Sequence, residues 1–389
     1  MPVYGRQPVA FVRGEGTRLW DTDGREYLDF VAGIAVMSVG HSHPKIIDAV
    51  RSQIGLLTHV SNLYYTEPQI RLAERLHELL GWGKVFFANS GAEANECAVK
   101  LARRWQREQA RPGRTGLVAA LGSFHGRTVA TLAATGQLSK HEPFEPLPAE
   151  LVHHVPLNDA EALEGAVDDG IGAVLLEVVQ GEGGINPATP EYLKAARELC
   201  DERGVLLIFD EVQTGLGRTG RWFGFQHSGV IPDVVTLAKA LGGGLPIGAC
   251  IAREDVADAF RPGDHATTFG GGPVPSAAAL AVLDVIAGEK LVENSATMGE
   301  RLVSRLHEAL DGNAAVKEVR GVGLLVGVEL TGEWSRDAVD GCRGRGLLVN
   351  NVRPDMIRLS PPLTVAASEV DRAVEILTEV LGSYGEYAG

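Results

Sequence analysis

Short apolar runs punctuate the chain from Lys84 onward: Val85-Phe86-Phe87, Leu117-Val118-Ala119-Ala120-Leu121, Ala173-Val174-Leu175-Leu176, Val205-Leu206-Leu207-Ile208-Phe209 and Val234-Val235-Thr236-Leu237. They lack the polar alternation of a half-solvated strand, so each predicts a strand buried on both faces. Segments of helical spacing separate them, and that alternation predicts a parallel sheet of the α/β class. One helix is well marked before Val205. Thr189 is its N-cap, Pro190 takes the first helical position, Leu193, Ala196, Leu199 and Cys200 share a face, and Gly204 stops it.

The two ends of the chain read differently. The first thirty residues predict β structure, with 18–21 and 26–30 flanking the hairpin signal Thr22-Asp23-Gly24-Arg25, and a helix follows from Pro44 to about Leu57. Beyond residue 275 the pattern predicts helices near 275–287 and 297–311 and a glycine-rich strand over 322–328. A last helix opens at the box Ser368-Glu369-Val370-Asp371. The expected organisation is a large domain over 51–274 with a mostly parallel central sheet. A smaller α+β domain combines 1–50 with 275–389, with no linker between them.

Composition narrows the function. Acidic side chains outnumber basic ones by 50 to 36, for a net charge of −14, which argues against nucleic acid and anionic membrane as partners. The 45% hydrophobic share supports a sizeable core and excludes whole-chain disorder. Four cysteines, Cys97, Cys200, Cys250 and Cys342, show no CxxC pair and no metal-ligand spacing. No metal site is therefore expected, and the usage fits a reducing cytosol. No signal peptide is visible at Met1-Pro2-Val3-Tyr4, and no window approaches the length of a membrane span, so a cytoplasmic protein is expected.

The lysines point to chemistry. Lys45, Lys84, Lys100, Lys140, Lys194, Lys290 and Lys317 sit among charges or in polar segments and read as solvated surface. Lys239 is different: it follows the buried run 234–237 and precedes Ala240-Leu241-Gly242-Gly243-Gly244. Ligands of open parallel sheets sit at strand C-terminal ends, and an amine desolvated there is a carbonyl-condensing nucleophile. Asp210 ends the run 205–209, 29 residues earlier, about one βαβ step away. A buried carboxylate needs a partner, and either a pyridinium nitrogen or an arginine such as Arg218 would satisfy it. The third element is the segment Asn89-Ser90-Gly91-Ala92-Glu93 after strand 85–87. There a small-residue helix start offers backbone N–H groups and the Ser90 hydroxyl to an anion. Lysine, aspartate and anion cradle together describe a site for pyridoxal 5'-phosphate.

At these residues the chain resembles the class III (ω-amino acid) aminotransferases of fold type I, essentially over its whole length. The stretch from Ile208 through Gly220, joined to Ala238-Lys239-Ala240-Leu241-Gly242-Gly243-Gly244, carries the resemblance most specifically. It implies that Lys239 binds the cofactor and shuttles the proton, while Asp210 holds the pyridine nitrogen. Val212 and Phe124 would cover the two ring faces, Gln213 would reach the ring hydroxyl, and Ser90, Gly91 and Ala92 would hold the phosphate. It further implies that Arg127 binds the carboxylate of an acylated donor. Arg358 would bind the α-carboxylate of glutamate or 2-oxoglutarate, with Glu182 as its switch partner. Thr268 would reach the phosphate and Thr267 the substrate of a neighbouring subunit, which implies a homodimer. His125 is expected as support.

The activity so implied is transfer of the terminal amino group of N-acetylornithine to 2-oxoglutarate. Ornithine, succinyl-diaminopimelate or a carrier-linked amine are the alternative donors, and aminomutase or decarboxylase chemistry is an alternative on the same core. A non-enzymatic glycine-rich binding protein is the third alternative. Three positions depart from the family pattern: Val178 stands where proline is usual, Gly272 where asparagine is common, and Met37 at a place usually polar.

Overall fold

The structure, a computed structural model, describes residues 1–148 and 152–385. Its largest sheet has seven strands in the order Lys84–Ala88, Gly248–Ala252, Val234–Leu237, Leu206–Asp210, Ile171–Leu176, Gly116–Ala120 and Val152–Val155. Strand 248–252 runs antiparallel to both of its neighbours, and the other strands run parallel to one another. All five expected runs are strands of this sheet. Strands 152–155 and 248–252 were not foreseen, because Val-His-His-Val is half polar and Gly-Ala-Cys-Ile-Ala is built mostly of small residues.

Alternation along the strands explains why their sequences look continuously apolar. Leu206 and Ile208 pack with Cys97, Ala98, Leu101 and Ala102 of the helix Gly91–Glu108 on one face. Leu207 and Phe209 point to the other face and join the main core. Successive side chains therefore meet two different apolar layers, as period-2 geometry requires when helices cover both sides. The helix Pro190–Arg203 follows its sequence signals: Thr189 accepts from the Tyr192 N–H, and Gly204 takes the left-handed conformation at φ 62°.

Two four-stranded sheets come from the chain ends. Phe11–Glu15, Arg18–Asp21 and Glu26–Asp29 form an antiparallel meander joined by Leu347–Leu348. The other sheet orders Val316–Val322, Leu325–Leu330, Met356–Leu359 and Asn350–Arg353. Here two expectations are corrected. The single strand over 322–328 is a hairpin, broken at Gly323, whose φ of +56° turns the chain. A Cβ there would lie 2.4 Å from the carbonyl carbon of Thr219, so glycine is needed for packing as well as for the turn. The last helix, Ala367–Gly385, starts one residue before Ser368. Its N-terminal signal is Glu369, which accepts from the Ala366 N–H at 2.9 Å and from the Thr17 hydroxyl at 2.5 Å, while Asp371 pairs with Arg301. The helix from 44 ends at Ile54, and those expected near 275–287 and 297–311 span Pro273–Gly288 and Leu291–Leu310.

Candidate active site

Adjacent strand ends bring the chemistry together. Strands 206–210 and 234–237 are neighbours, with Asp210 opposite Thr236, so Lys239 emerges beside Asp210 as the spacing predicts. Just past the strand, Lys239 opens a 3₁₀ turn with φ at +37°, in the left-handed region that non-glycine residues avoid. Strained backbone persists only where the surroundings over-determine it, and here it aims the lysine into a cavity of about 420 Å3. Burial pushes the Lys239 ammonium below its usual value, and the Arg358 charge adds to this, while Glu182, Asp210 and Glu177 oppose it. Partly exposed, it lines that cavity. A neutral amine in reach of a bound carbonyl can attack it, and the same nitrogen can carry a proton.

Asp210 is held from three sides. Val212 N–H donates to Oδ1 at 3.0 Å, and Asn95 Nδ2 donates to Oδ2 at 2.8 Å. His125 Nδ1 lies 2.8 Å from the same Oδ2, and the carboxylate is 4% exposed. Asn95 is in turn fixed by the Thr236 hydroxyl and by the His125 carbonyl. The sequence alternative that pairs Asp210 with Arg218 is corrected. Arg218 is buried elsewhere and donates to the carbonyls of Leu324 and Pro361 and to the Ser38 hydroxyl.

Ser90 caps the helix Gly91–Glu108, accepting from the Glu93 N–H at 3.2 Å, and the N–H groups of Gly91 and Ala92 lack intrahelical acceptors by their position. Ser90, Gly91 and Ala92 line the cavity with Phe124, Val212 and Gln213. Gln213 approaches Gly181 so closely that a Cβ there would lie 1.5 Å from Oε1, and Gln213 Nε2 is buried without a hydrogen-bond partner among the described residues. An orphaned donor inside a cavity invites an acceptor from a ligand. Carboxylate, amine, anion cradle and orphaned amide together suit a flat, phosphorylated pyridine with a hydroxyl group.

Behind Glu182 and Gln213, which line the cavity, stands a buried cation. Arg358, on strand 356–359, is 1% exposed and donates to Glu182 Oε1 at 2.7 Å, to Gln213 Oε1 at 3.2 Å and to the Gly181 carbonyl. Its Nη2 has no partner among the described residues. Burial alone would raise the Glu182 carboxyl, but the charges of Arg358 and Lys239 outweigh it and hold it low. Arg127 is exposed, with its guanidinium 5.6 Å from the Phe124 ring centroid. Thr267 and Thr268 do not line this cavity. They sit on a separate loop, where Asn62 Nδ2 donates to the Thr267 carbonyl and Asn89 Nδ2 lies 3.4 Å from its hydroxyl. Met37 stands behind the wall, near Gly244.

Several contributors were not legible in advance. Asn95 reads as one polar residue in a helix, and its tie to Asp210 spans 115 positions. Val36 reaches the wall from a left-handed turn, in which Ala32, Ile34 and Ala35 have φ between +49° and +63°. Glu177 lies in the same cavity and accepts from the Phe124 N–H at 3.0 Å. Burial pushes its carboxyl up to about 7 from the usual 4.5, with the His125 charge opposing. In the unfolded chain this proton leaves near 4.5 and in the fold near 7, so stability falls as pH rises between those values. Glu177→Gln cannot ionise. The drop in melting temperature from about pH 5 to about pH 7.5 is therefore expected to be smaller in the variant than in the wild type. An equal drop in both would remove Glu177 from this account.

Comparison with known proteins identifies the family. The family model for class-III aminotransferases matches residues 2–381. An acetylornithine aminotransferase from Caldanaerobacter subterraneus subsp. tengcongensis is 51% identical over 381 residues, 98% of this chain and 96% of that protein. One from Streptomyces coelicolor is 51% identical over 387 residues, covering 99% and 94%. Among solved structures, the ornithine aminotransferase of Toxoplasma gondii ME49 superposes with a TM-score of 0.95 at 34% identity, over 100% of this chain and 93% of that one. The acetylornithine aminotransferase of Elizabethkingia anophelis gives 0.87 at 33% identity, over 98% and 95%. Among the described residues, no helix is long and apolar enough to cross a membrane.

Proposed function

We propose, because this chain belongs to the class III aminotransferases, that it moves the terminal amino group of N-acetylornithine to 2-oxoglutarate with pyridoxal 5'-phosphate as cofactor. The observation that carries this reading is a pair of cations about one cavity. Arg358 is buried behind Glu182 and Gln213, which line the cavity, and Arg127 lines it directly and is exposed. The named relatives at 51% identity support the acetylated donor.

When bound, pyridoxal phosphate supplies a reactive carbonyl carbon and an electron-withdrawing ring. This chain's residues do the rest. The Gly91 and Ala92 N–H groups and Ser90 would grip the phosphate. Asp210, steadied by Asn95 and His125, would hold a proton on the ring nitrogen. Phe124 and Val212 would cover the ring, and Gln213 Nε2 would donate to its hydroxyl oxygen. Lys239 would take the proton from the donor's amine-bearing carbon and deliver it to the carbon on the far side of the nitrogen.

Two partners must use one cavity, and the arginines divide the work. Arg358 forms a bidentate pair with the α-carboxylate of glutamate or 2-oxoglutarate once Glu182 swings aside. With an acylated donor, which reacts at its far amine, Glu182 stays on Arg358 and neutralises it, and Arg127 takes the carboxylate instead. The loop with Thr267 and Thr268, beside the exposed Leu63, Tyr64, Tyr65 and Phe269, is where a second copy would complete each site as a homodimer. Four buried free thiols suit a reducing cytoplasm.

A donor panel with 2-oxoglutarate as acceptor tests the reading, scored as kcat/KM. N-acetylornithine should exceed free ornithine and succinyl-diaminopimelate. A higher value for free ornithine would move the assignment to that substrate. Release of carbon dioxide or amine migration without 2-oxoglutarate would replace amino transfer itself.

A further inference from the structure

Of the seven lysines that sequence places on the surface, six are exposed, but Lys140 is half-buried, and the position is corrected here. It lies in the short 3₁₀ turn Leu138–Lys140, and its Nζ donates to Gln137 Oε1. Gln137 in turn donates to the carbonyls of Gly122 and Ser123, so the ammonium is tethered to the loop that presents Phe124. Nζ stands 5.3 Å from the Phe124 ring centroid, and the Arg127 guanidinium stands 5.6 Å from the same centroid. Two cations thus share one aromatic ring that lines the cavity.

Neither cation has a carboxylate within ion-pair distance among the described residues. Glu182 is the acidic group whose field Lys140 feels, and it is already committed to Arg358 at 2.7 Å. A ring quadrupole attracts a cation but does not neutralise it. An ammonium has three donors, and Gln137 uses one. Two positive charges without a counter-ion, beside one aromatic ring that lines the cavity, leave room for an anion from solution.

We propose that Lys140 is a specificity-determining residue, a second cation that joins Arg127 in receiving the carboxylate of the acylated amino donor. This rests on the reading that places that carboxylate at the Arg127 end of the cavity, away from Arg358. Arg127 alone, exposed to water, would bind a carboxylate weakly. Lys140 adds a charge whose position is already restricted by Gln137 and Phe124, so less freedom is lost on binding. The α-carboxylate of glutamate, bound through Arg358, makes no use of it.

The test uses the holoenzyme and its Lys140→Met and Lys140→Arg variants, with each half-reaction followed separately. The donors are N-acetylornithine, L-glutamate and N-acetyl-1,4-diaminobutane, which is N-acetylornithine without its carboxylate. Lys140→Met should raise KM for N-acetylornithine about tenfold, with kcat within about twofold, the signature of lost uniform binding. KM for the carboxylate-free amine should stay within about twofold, and Lys140→Arg should recover most of the loss. An equal rise in KM for the carboxylate-free amine, which would mean lost packing, overturns the proposal. So does an unchanged KM for N-acetylornithine. A wild-type enzyme that accepts glutamate but refuses N-acetylornithine would instead overturn the functional reading, and this proposal with it.

Discussion

Lys239→Ala should leave a folded protein whose turnover falls by at least about 10⁴-fold with every donor, because one nitrogen serves as both nucleophile and proton carrier. The side chain borders a cavity instead of filling the core, so its removal opens space that is already open. The two roles separate in the assay. Added small amines restore part of the proton transfer but not the covalent attachment, so the absorption of lysine-bound pyridoxal phosphate should be missing even where some rate returns. A variant that keeps both the absorption and the turnover would show that another group holds the cofactor, and no other described lysine lines this cavity.

Asp210→Asn should give the complementary result. The amide keeps the size of the side chain, and its oxygen can still accept from Asn95 or Val212, but it cannot hold a proton on a ring nitrogen by charge. Binding through Lys239 and the Ser90–Ala92 cradle should survive, so the absorption persists. The rate of either half-reaction should fall about 10³-fold, the scale of losing one preorganised electrostatic contact to the reacting system. The test is single-turnover reaction with L-glutamate, and a loss below about tenfold would mean that His125 or Asn95 carries the function assigned to the carboxylate. Retained absorption with lost rate in Asp210→Asn, against both lost in Lys239→Ala, distinguishes chemistry from retention.

The sheet and the side-by-side placement of Asp210 and Lys239 were legible because local rules governed them. Apolar runs of strand length, small residues at a helix start and a lysine beyond a strand end each have one favourable placement in a parallel sheet. Asp210 and Lys239 needed only the length of a βαβ step to be set side by side. The supporting groups were hidden because their meaning is tertiary. His125 meets Asp210 across 85 positions, and nothing local to either residue records it. Arg358 on its own reads as a strand-end surface residue, yet it is buried, and only the family resemblance pointed to it. Lys140 failed the opposite way: polar neighbours suggested solvent, but Gln137 and Phe124 fold over it. The hairpin at Gly323 was missed because Leu-Leu-Val continues the apolar pattern across a turn that only backbone geometry reveals.

The single antiparallel strand has a mechanical consequence. A parallel return after 234–237 would have required a crossover of a dozen residues or more and a re-entry at the far edge of the sheet. The reversal instead brings the chain back at the same edge within ten residues. Lys239, the rim at Gly244–Ile247 and the start of strand 248–252 thus belong to one short span. Gly248 in turn abuts Ser90, where a Cβ would lie 2.4 Å from the Ser90 carbonyl oxygen. Lys239 and the Ser90–Ala92 helix start are therefore yoked by a single ribbon. A disturbance anywhere along it would loosen both ends of the ligand together, so damage here should appear as concurrent leakage and idleness, never one alone.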